Sequence, residues 1–340
     1  MSPLVWTLTV AGLIALLVID FMTHVRKAHT PSLKEAAIWS GIFVGVALAF
    51  GVGVWFVAGP ELGKEYFAGY VTEKALSVDN LFLFLVIMTS FAVPSANQQK
   101  VLMFGVVFSL IARTGLILAG AALVNSFSWV FYLFGAILMV TAASMLRGHG
   151  DGETEAGDNV MVRFARRFIH TTDHYDGDRM TTIHQGRRAM TPMMLVMVAI
   201  AGTDVLFAVD SIPAIFGLTQ NAYIVFTATA FSLLGLRQLY FLLDGLLDRL
   251  VHLSYGLAVI LGFIGVKLIL HALHENKLPF INGGHPLHVP QITTNVSLLV
   301  ILGVLTVTVI TSLLASRRAK RSSETEQKET AVNSVAPHSK

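Results

Sequence analysis

Long apolar runs dictate what this chain becomes. Nine of them, at 4–22, 36–58, 66–93, 101–124, 128–146, 191–217, 222–243, 253–274 and 293–315, are near or above the roughly 20 residues that a helix needs to cross a bilayer core. Hydrocarbon offers backbone groups no water, so segments of this kind satisfy their own hydrogen bonds as helices. The chain therefore reads as all-α, a polytopic membrane protein of about nine transmembrane helices. Only 13% of its residues are charged, where soluble domains carry about 25%. That excludes a soluble enzyme built around one large core. Cysteine is absent, which excludes disulfides and metals held by thiolates. The net charge of +3 is no nucleic-acid footprint, because Lys and Arg gather at helix ends and in the tail.

Those basic residues set an expected orientation. Arg26, Lys27, Lys34, Lys100, Arg147, Arg163, Arg166, Arg167, Arg179, Arg187, Arg188, Arg249, Arg317, Arg318, Lys320 and Arg321 fall in one alternating set of connections. Only Lys64 and Lys277 fall in the other. Positive residues stay inside, so the N-terminus is expected outside and the C-terminus in the cytoplasm of a plasma-membrane protein. The first run begins at residue 4 with no basic stretch before it, and reads as a retained helix rather than a cleaved signal. The organisation follows: 1–65 holds two helices, 66–146 a three-helix unit, 147–190 a cytoplasmic loop, and 191–275 a second three-helix unit. An outer loop and last helix occupy 276–315, and 316–340 is polar enough to read as a disordered tail.

The two three-helix units echo one another. Thr72-Glu-Lys-Ala-Leu-Ser-Val-Asp79-Asn80 parallels Thr203-Asp-Val-Leu-Phe-Ala-Val-Asp210-Ser211. Phe108-Ser-Leu-Ile-Ala-Arg113 more loosely parallels Phe231-Ser-Leu-Leu-Gly-Leu-Arg237. Two consecutive three-span units enter the membrane from opposite sides, which predicts an inverted repeat. Transporters built this way bind substrate near the midplane, at the repeat interface.

Charged residues within the spans carry the functional argument. The acids are Asp20, Glu73, Asp79, Asp204 and Asp210; the bases are Lys74, Arg113, Arg237 and Lys267. Each costs about 2.5–3.5 kcal/mol at the bilayer centre on insertion scales, so they must face one another, water or an ion. Asp20, close to Arg26 and Lys27, reads as a surface residue, and Lys74 as one that snorkels outward. Residues six apart point about 240° apart on a helix. Glu73 and Asp79 therefore either act in different places or share a cavity across an unwound segment. Glu73, Asp79, Asn80, Asp204, Asp210 and Ser211 supply hard oxygen donors that suit a Mn-, Mg- or Ca-like divalent ion. Arg113, Arg237 and Lys267 are expected to balance their charge. The histidines His271, His274, His285 and His288, at the outer end of the eighth span and in the loop after it, could collect metal at the external mouth, but their loose spacing favours a reading as scattered polar residues.

The stretches Glu73-Lys-Ala-Leu-Ser-Val-Asp-Asn-Leu-Phe82 and Phe207-Ala-Val-Asp-Ser-Ile-Pro-Ala-Ile-Phe216 resemble the two signatures of the TerC/Alx family of integral membrane proteins. Leu234-Gly-Leu-Arg-Gln-Leu-Tyr-Phe-Leu-Leu243 and Gly262-Phe-Ile-Gly-Val-Lys267 are similar to its later stretches, so the resemblance covers about 66–275. It implies a protein of a family tied to tellurium resistance, with Mn2+ exporters among its members. Acids of the signature helices are then the ion ligands, which maps onto Glu73, Asp79, Asp204 and Asp210. Ala201 stands where many members carry Glu, removing one ligand. The expected partners are a divalent metal ion, as transported substrate, and the lipid bilayer; no resident cofactor is implied, and the oligomeric state is left open. The alternative is a non-transporting membrane factor in stress resistance or membrane-protein assembly. Signatures of an intramembrane hydrolase are absent.

Overall fold

The structure is a computed structural model that describes residues 2–25, 31–127, 129–147, 175, 177, 179–184, 187–243, 252–276, 278, 281–282 and 285–335. Most of the expected loop (148–174) and the end of the expected tail (336–340) lie outside these. Helix α1 (Pro3–Asp20) is capped by Ser2 and runs on into a π-helical turn, Phe21–Val25. Helix α2 (Leu33–Ala58) starts at Ser32, whose hydroxyl accepts from the Glu35 N–H, as an N-cap does. It stops at Gly59, whose φ of 101° admits glycine and strains other residues. Pro60 then opens α3 (Pro60–Ser90), its missing N–H costing nothing in a first turn.

Helices α4 (Ser95–Ser126) and α5 (Val130–Arg147) follow after short turns. A small hairpin, β1 (Thr181–His184) with β2 (Arg187–Met190), pairs antiparallel with Thr181 opposite Met190. Its approach is pinned to the α3–α4 turn where the Tyr175 hydroxyl donates to the Phe91 carbonyl. Then come α6 (Pro192–Phe216), α7 (Ala222–Leu233), α8 (Leu236–Leu243) and α9 (Leu253–His274). The last helix, α10 (Thr294–Val335), continues through most of the segment read as disordered. Lys, Arg, Glu and Gln in that segment are all good helix formers.

Eight segments among the described residues are long and apolar enough to cross a membrane. The ninth expected span falls in α3, which is 31 residues long but carries Glu61, Lys64, Glu65, Glu73, Lys74 and Asp79. A helix so charged is untenable in lipid, and the fold surrounds it with α2, α6, α7 and α10. The more apolar α1 and α2 stay at the periphery, with Leu4, Leu8, Phe56 and Val57 exposed.

Small residues set the helix pairings. Helices α3 and α6 run antiparallel, Glu65 meeting Thr219 and Gly69 packing on Ile215. Helix α4 runs parallel to α6, with Gly105 against Ile200 and Gly120 against Phe216. Helix α3 runs parallel to α7, with Gly69 against Ala228 and Lys74 against Ser232. Helices α5 and α9 are antiparallel, with Gly135 against Ile269 and Ala142 against Gly262. Both signature segments stay helical. Pro213 sits inside the last turn of α6 without breaking it, and α3 is continuous through Glu73 and Asp79. The break lies elsewhere. Leu234 is extended and Gly235 has φ of 75°, which splits the single span expected at 222–243 into α7 and α8.

Candidate functional site

The centre of the site is an arginine shared by two acids. Arg113 of α4 donates from Nη1 to Glu73 Oε2 of α3 at 2.6 Å and to Ser211 Oγ of α6 at 3.0 Å. Its Nη2 lies 3.6 Å from Asp204 Oδ1, also on α6. Glu73, Arg113 and Asp204 are 0%, 1% and 4% exposed, so this is ion pairing without water. Helix direction makes it possible. Because α3 and α6 run antiparallel with α4 beside them, residues far apart in sequence reach the same level. The set is not fully satisfied, since Glu73 Oε1 and Ser77 Oγ are buried without a hydrogen-bond partner. Desolvating three charges costs several kcal/mol per ion, and only close geometry offsets it.

Asp79 and Asp210 lie away from this centre, six residues beyond Glu73 and Asp204 on helices of opposite direction. Each is therefore about 9 Å along its own axis from the acid of its own helix, and the antiparallel register brings Asp210 level with Glu73 and Asp79 level with Asp204. The Thr141 hydroxyl of α5 donates to Asp210 at 2.8 Å. The Ser254 hydroxyl of α9 reaches Asp79 at 3.4 Å. Of the two sequence readings for the acid pairs, separate places is therefore the one realised. Asn80 is buried on α3, one turn beyond the buried Leu76 and Ser77.

The remaining charges have partners that the sequence did not disclose. Asp20 is buried, not a surface residue. Its Oδ1 accepts from Arg237 Nη2 at 2.7 Å and from Gln238 Nε2 at 2.6 Å, while Arg237 also donates to Gln99. Arg237 thus holds an acid from α1 rather than one of the four signature acids. Lys267 of α9 donates to Ser297 of α10 at 3.0 Å. Lys74 turns inward, donating to the carbonyls of Ser232 at 3.0 Å and Leu234 at 3.3 Å.

At the end of the bundle where α3 begins, Glu65, Thr219, Gln220, Lys267 and His271 line a cavity of about 270 Å³. Phe216, buried against Gly120 and Phe134, closes its floor. Glu65 precedes the apolar run at 66–93, and so carried no intramembrane signal. Thr141 and Ser254 carried none either, because a membrane threonine or serine often bonds a carbonyl of its own helix. Among the described residues, no three His, Asp or Glu side chains converge closely enough to hold a metal ion.

Comparison with known proteins agrees with this architecture. The family model described as integral membrane protein TerC family matches residues 58–320. An uncharacterized membrane protein of Mycobacterium tuberculosis is 57% identical over 320 residues, covering 93% of this chain and 80% of that protein. One from Myxococcus xanthus is 38% identical, covering 94% of this chain and 95% of its own. The putative membrane-bound redox modulator Alx of Escherichia coli K12 is 39% identical over 279 residues, covering 79% and 86% of the two chains. No solved structure matches. Signature helices, buried charges and similarity over most of the chain point one way, and the protein belongs to the TerC family of integral membrane proteins.

Proposed function

We propose that this chain is a metal-ion transporter that exports Mn2+ from the cytoplasm past the carboxylates of α3 and α6. The observation that carries this reading is the Glu73–Arg113–Asp204 cluster. With both acids ionised it holds one negative charge in excess, inside a bundle where an unbalanced charge is expensive. Glu73 Oε1 and Ser77 Oγ, buried without partners, are oxygen donors of the kind a hard cation accepts. Asp79, beside α9, and Asp210, beside α5, lie about 9 Å from Glu73 and Asp204 along α3 and α6, so an ion would move between carboxylates on different faces of the two helices. In this reading the arrangement is the metal-free one, with Arg113 in the place that the ion's charge takes when substrate binds. Lys267 and Arg237, expected to balance charge, have other partners, which leaves Arg113 in that role.

The pairing of helices supports an inverted repeat as its frame. Exchanging α3 with α6, α4 with α7 and α5 with α9 converts the α3–α7 contact into the α6–α4 contact, with matching directions. The same exchange turns an Asp79 bonded from α9 into an Asp210 bonded from α5. Such symmetry gives the site two equivalent routes of access.

A second reading rests on the relatives described as redox modulators and on the absence of a closed metal cage among the described residues. It makes the chain a non-transporting membrane factor. With no cysteine in the chain, it would act without thiols of its own. One experiment separates the two. Asp79→Asn and Asp210→Asn keep an oxygen and lose the charge, so each should reach the membrane at near-normal level. A strain relying on either should nevertheless accumulate manganese and become sensitive to added Mn2+, as a deletion would. Normal manganese handling by both well-expressed variants would favour the non-transporting reading.

A further inference from the structure

The break between α7 and α8 falls at Leu234–Gly235, near the middle of the apolar segment Ala222–Leu242. Helix α7 therefore ends inside the membrane, where its last carbonyls carry the negative end of the helix dipole and no water reaches them. Gly235 makes the break permanent. Its φ of 75° favours glycine, and a Cβ there would come within 2.9 Å of the Phe43 Cβ on α2. Carbonyls exposed at broken membrane helices are what transporters use to coordinate small cations. Here they are already taken by a positive charge, the Lys74 ammonium, which donates to both Ser232 and Leu234.

Lys74 is next to Glu73 but faces the other way. Glu73 looks toward α4 and α6 and meets Arg113, whereas Lys74 looks toward α7 and α8. The lysine is therefore not a counterion of the central acids, and neither of its bonds goes to a carboxylate. We infer that the broken α7–α8 helix is an alkali-cation site, and that Lys74 is a tethered cation permanently filling it. The partners fit. Both are neutral carbonyl oxygens at 3.0 and 3.3 Å, which suit an ammonium or an alkali ion. A divalent ion would require carboxylates. The consequence is a fold that carries a broken-helix ion site yet needs no free ion to stabilise it.

The test is cation-dependent thermal stability of the purified full chain in detergent, a readout independent of manganese transport. Lys74→Ala empties the site and leaves room for an ion. Sodium, potassium or ammonium chloride should then raise its Tm by roughly 4 °C at a hundredfold excess over Kd, relative to choline chloride. Lys74→Met fills the same space with an uncharged chain and should show no such gain, nor should the unmodified protein. The inference is overturned if Lys74→Ala is equally stable in all four salts, or cannot be recovered folded in any. It is also overturned if Lys74→Met or the unmodified chain responds as strongly.

Discussion

Arg113 and Arg237 occupy loosely matching places in the two units, yet their partners differ. Arg113 reaches two acids because α3 and α6 both pass beside α4. Arg237 reaches none of the four signature acids, because α1 lays Asp20 across it. Removing one member of a buried ion pair leaves the other charged and unpaired, at a cost of about 3–5 kcal/mol. Arg237→Ala should therefore lower both membrane abundance and Tm. Adding Asp20→Asn to the same chain should recover much of the loss, since the remaining amide is neutral. Adding neutral replacements of Glu73, Asp79, Asp204 or Asp210 should not. Rescue by one of those four, with none from Asp20→Asn, would refute the pairing seen here.

Between helices, glycine and alanine decide how closely two axes approach. Along α5 and α9, Gly135 meets Ile269 and Gly265, and Ala142 meets Gly262. Small residues are how membrane helices gain close contact where lipid supplies no hydrophobic drive between them. A Cβ built on Gly262 would lie 3.7 Å from the Ala142 Cβ, close to the separation of about 3.8 Å in disulfides. The chain has no cysteine of its own, so an engineered pair is easy to read. Ala142→Cys with Gly262→Cys should form a disulfide under mild oxidation, visible as a mobility shift reversed by reductant. Ala142→Cys with Val266→Cys, one turn away, should not. The reverse result would require a different register between α5 and α9.

Across the whole molecule, charge decides which helix is central, and it sets the orientation proposed for the bundle. Helix α3 cannot meet lipid with six charged residues, so the apolar helices enclose it. The basic residues between the spans, sixteen in one alternating set of connections against two in the other, are the ground for the proposed orientation. A reporter fused after residue 316 should be active only in the cytoplasm. One inserted within 276–290 should be active only outside. A cytoplasmic signal from 276–290 would overturn the proposed orientation and the assignment of α3 as a crossing helix. It would also put the Glu65–His271 cavity on the inner face.

Apolar run length, the cost of intramembrane charge and the Val-Asp-polar echo were enough to give the all-helical class and most of the helices, and to single out the acids carried by α3 and α6. These are local or compositional properties, and each residue carries its own share of them. What the sequence could not supply were partners. Spacing along one helix separates Glu73 from Asp79, but it says nothing of which neighbour meets Arg113. That depended on α3 and α6 running antiparallel beside α4. Asp20 looked like a surface acid until α1 packed it against Arg237 and Gln238. Lys74 looked free to snorkel until α7 ended beside it. The split at Gly235 was likewise hidden, because one glycine in an apolar run reads as helix until Phe43 presses against it. Charges in a membrane must be paired, a requirement legible in the sequence; which charge pairs with which is decided by helix direction and close packing, and these exist only in the folded bundle.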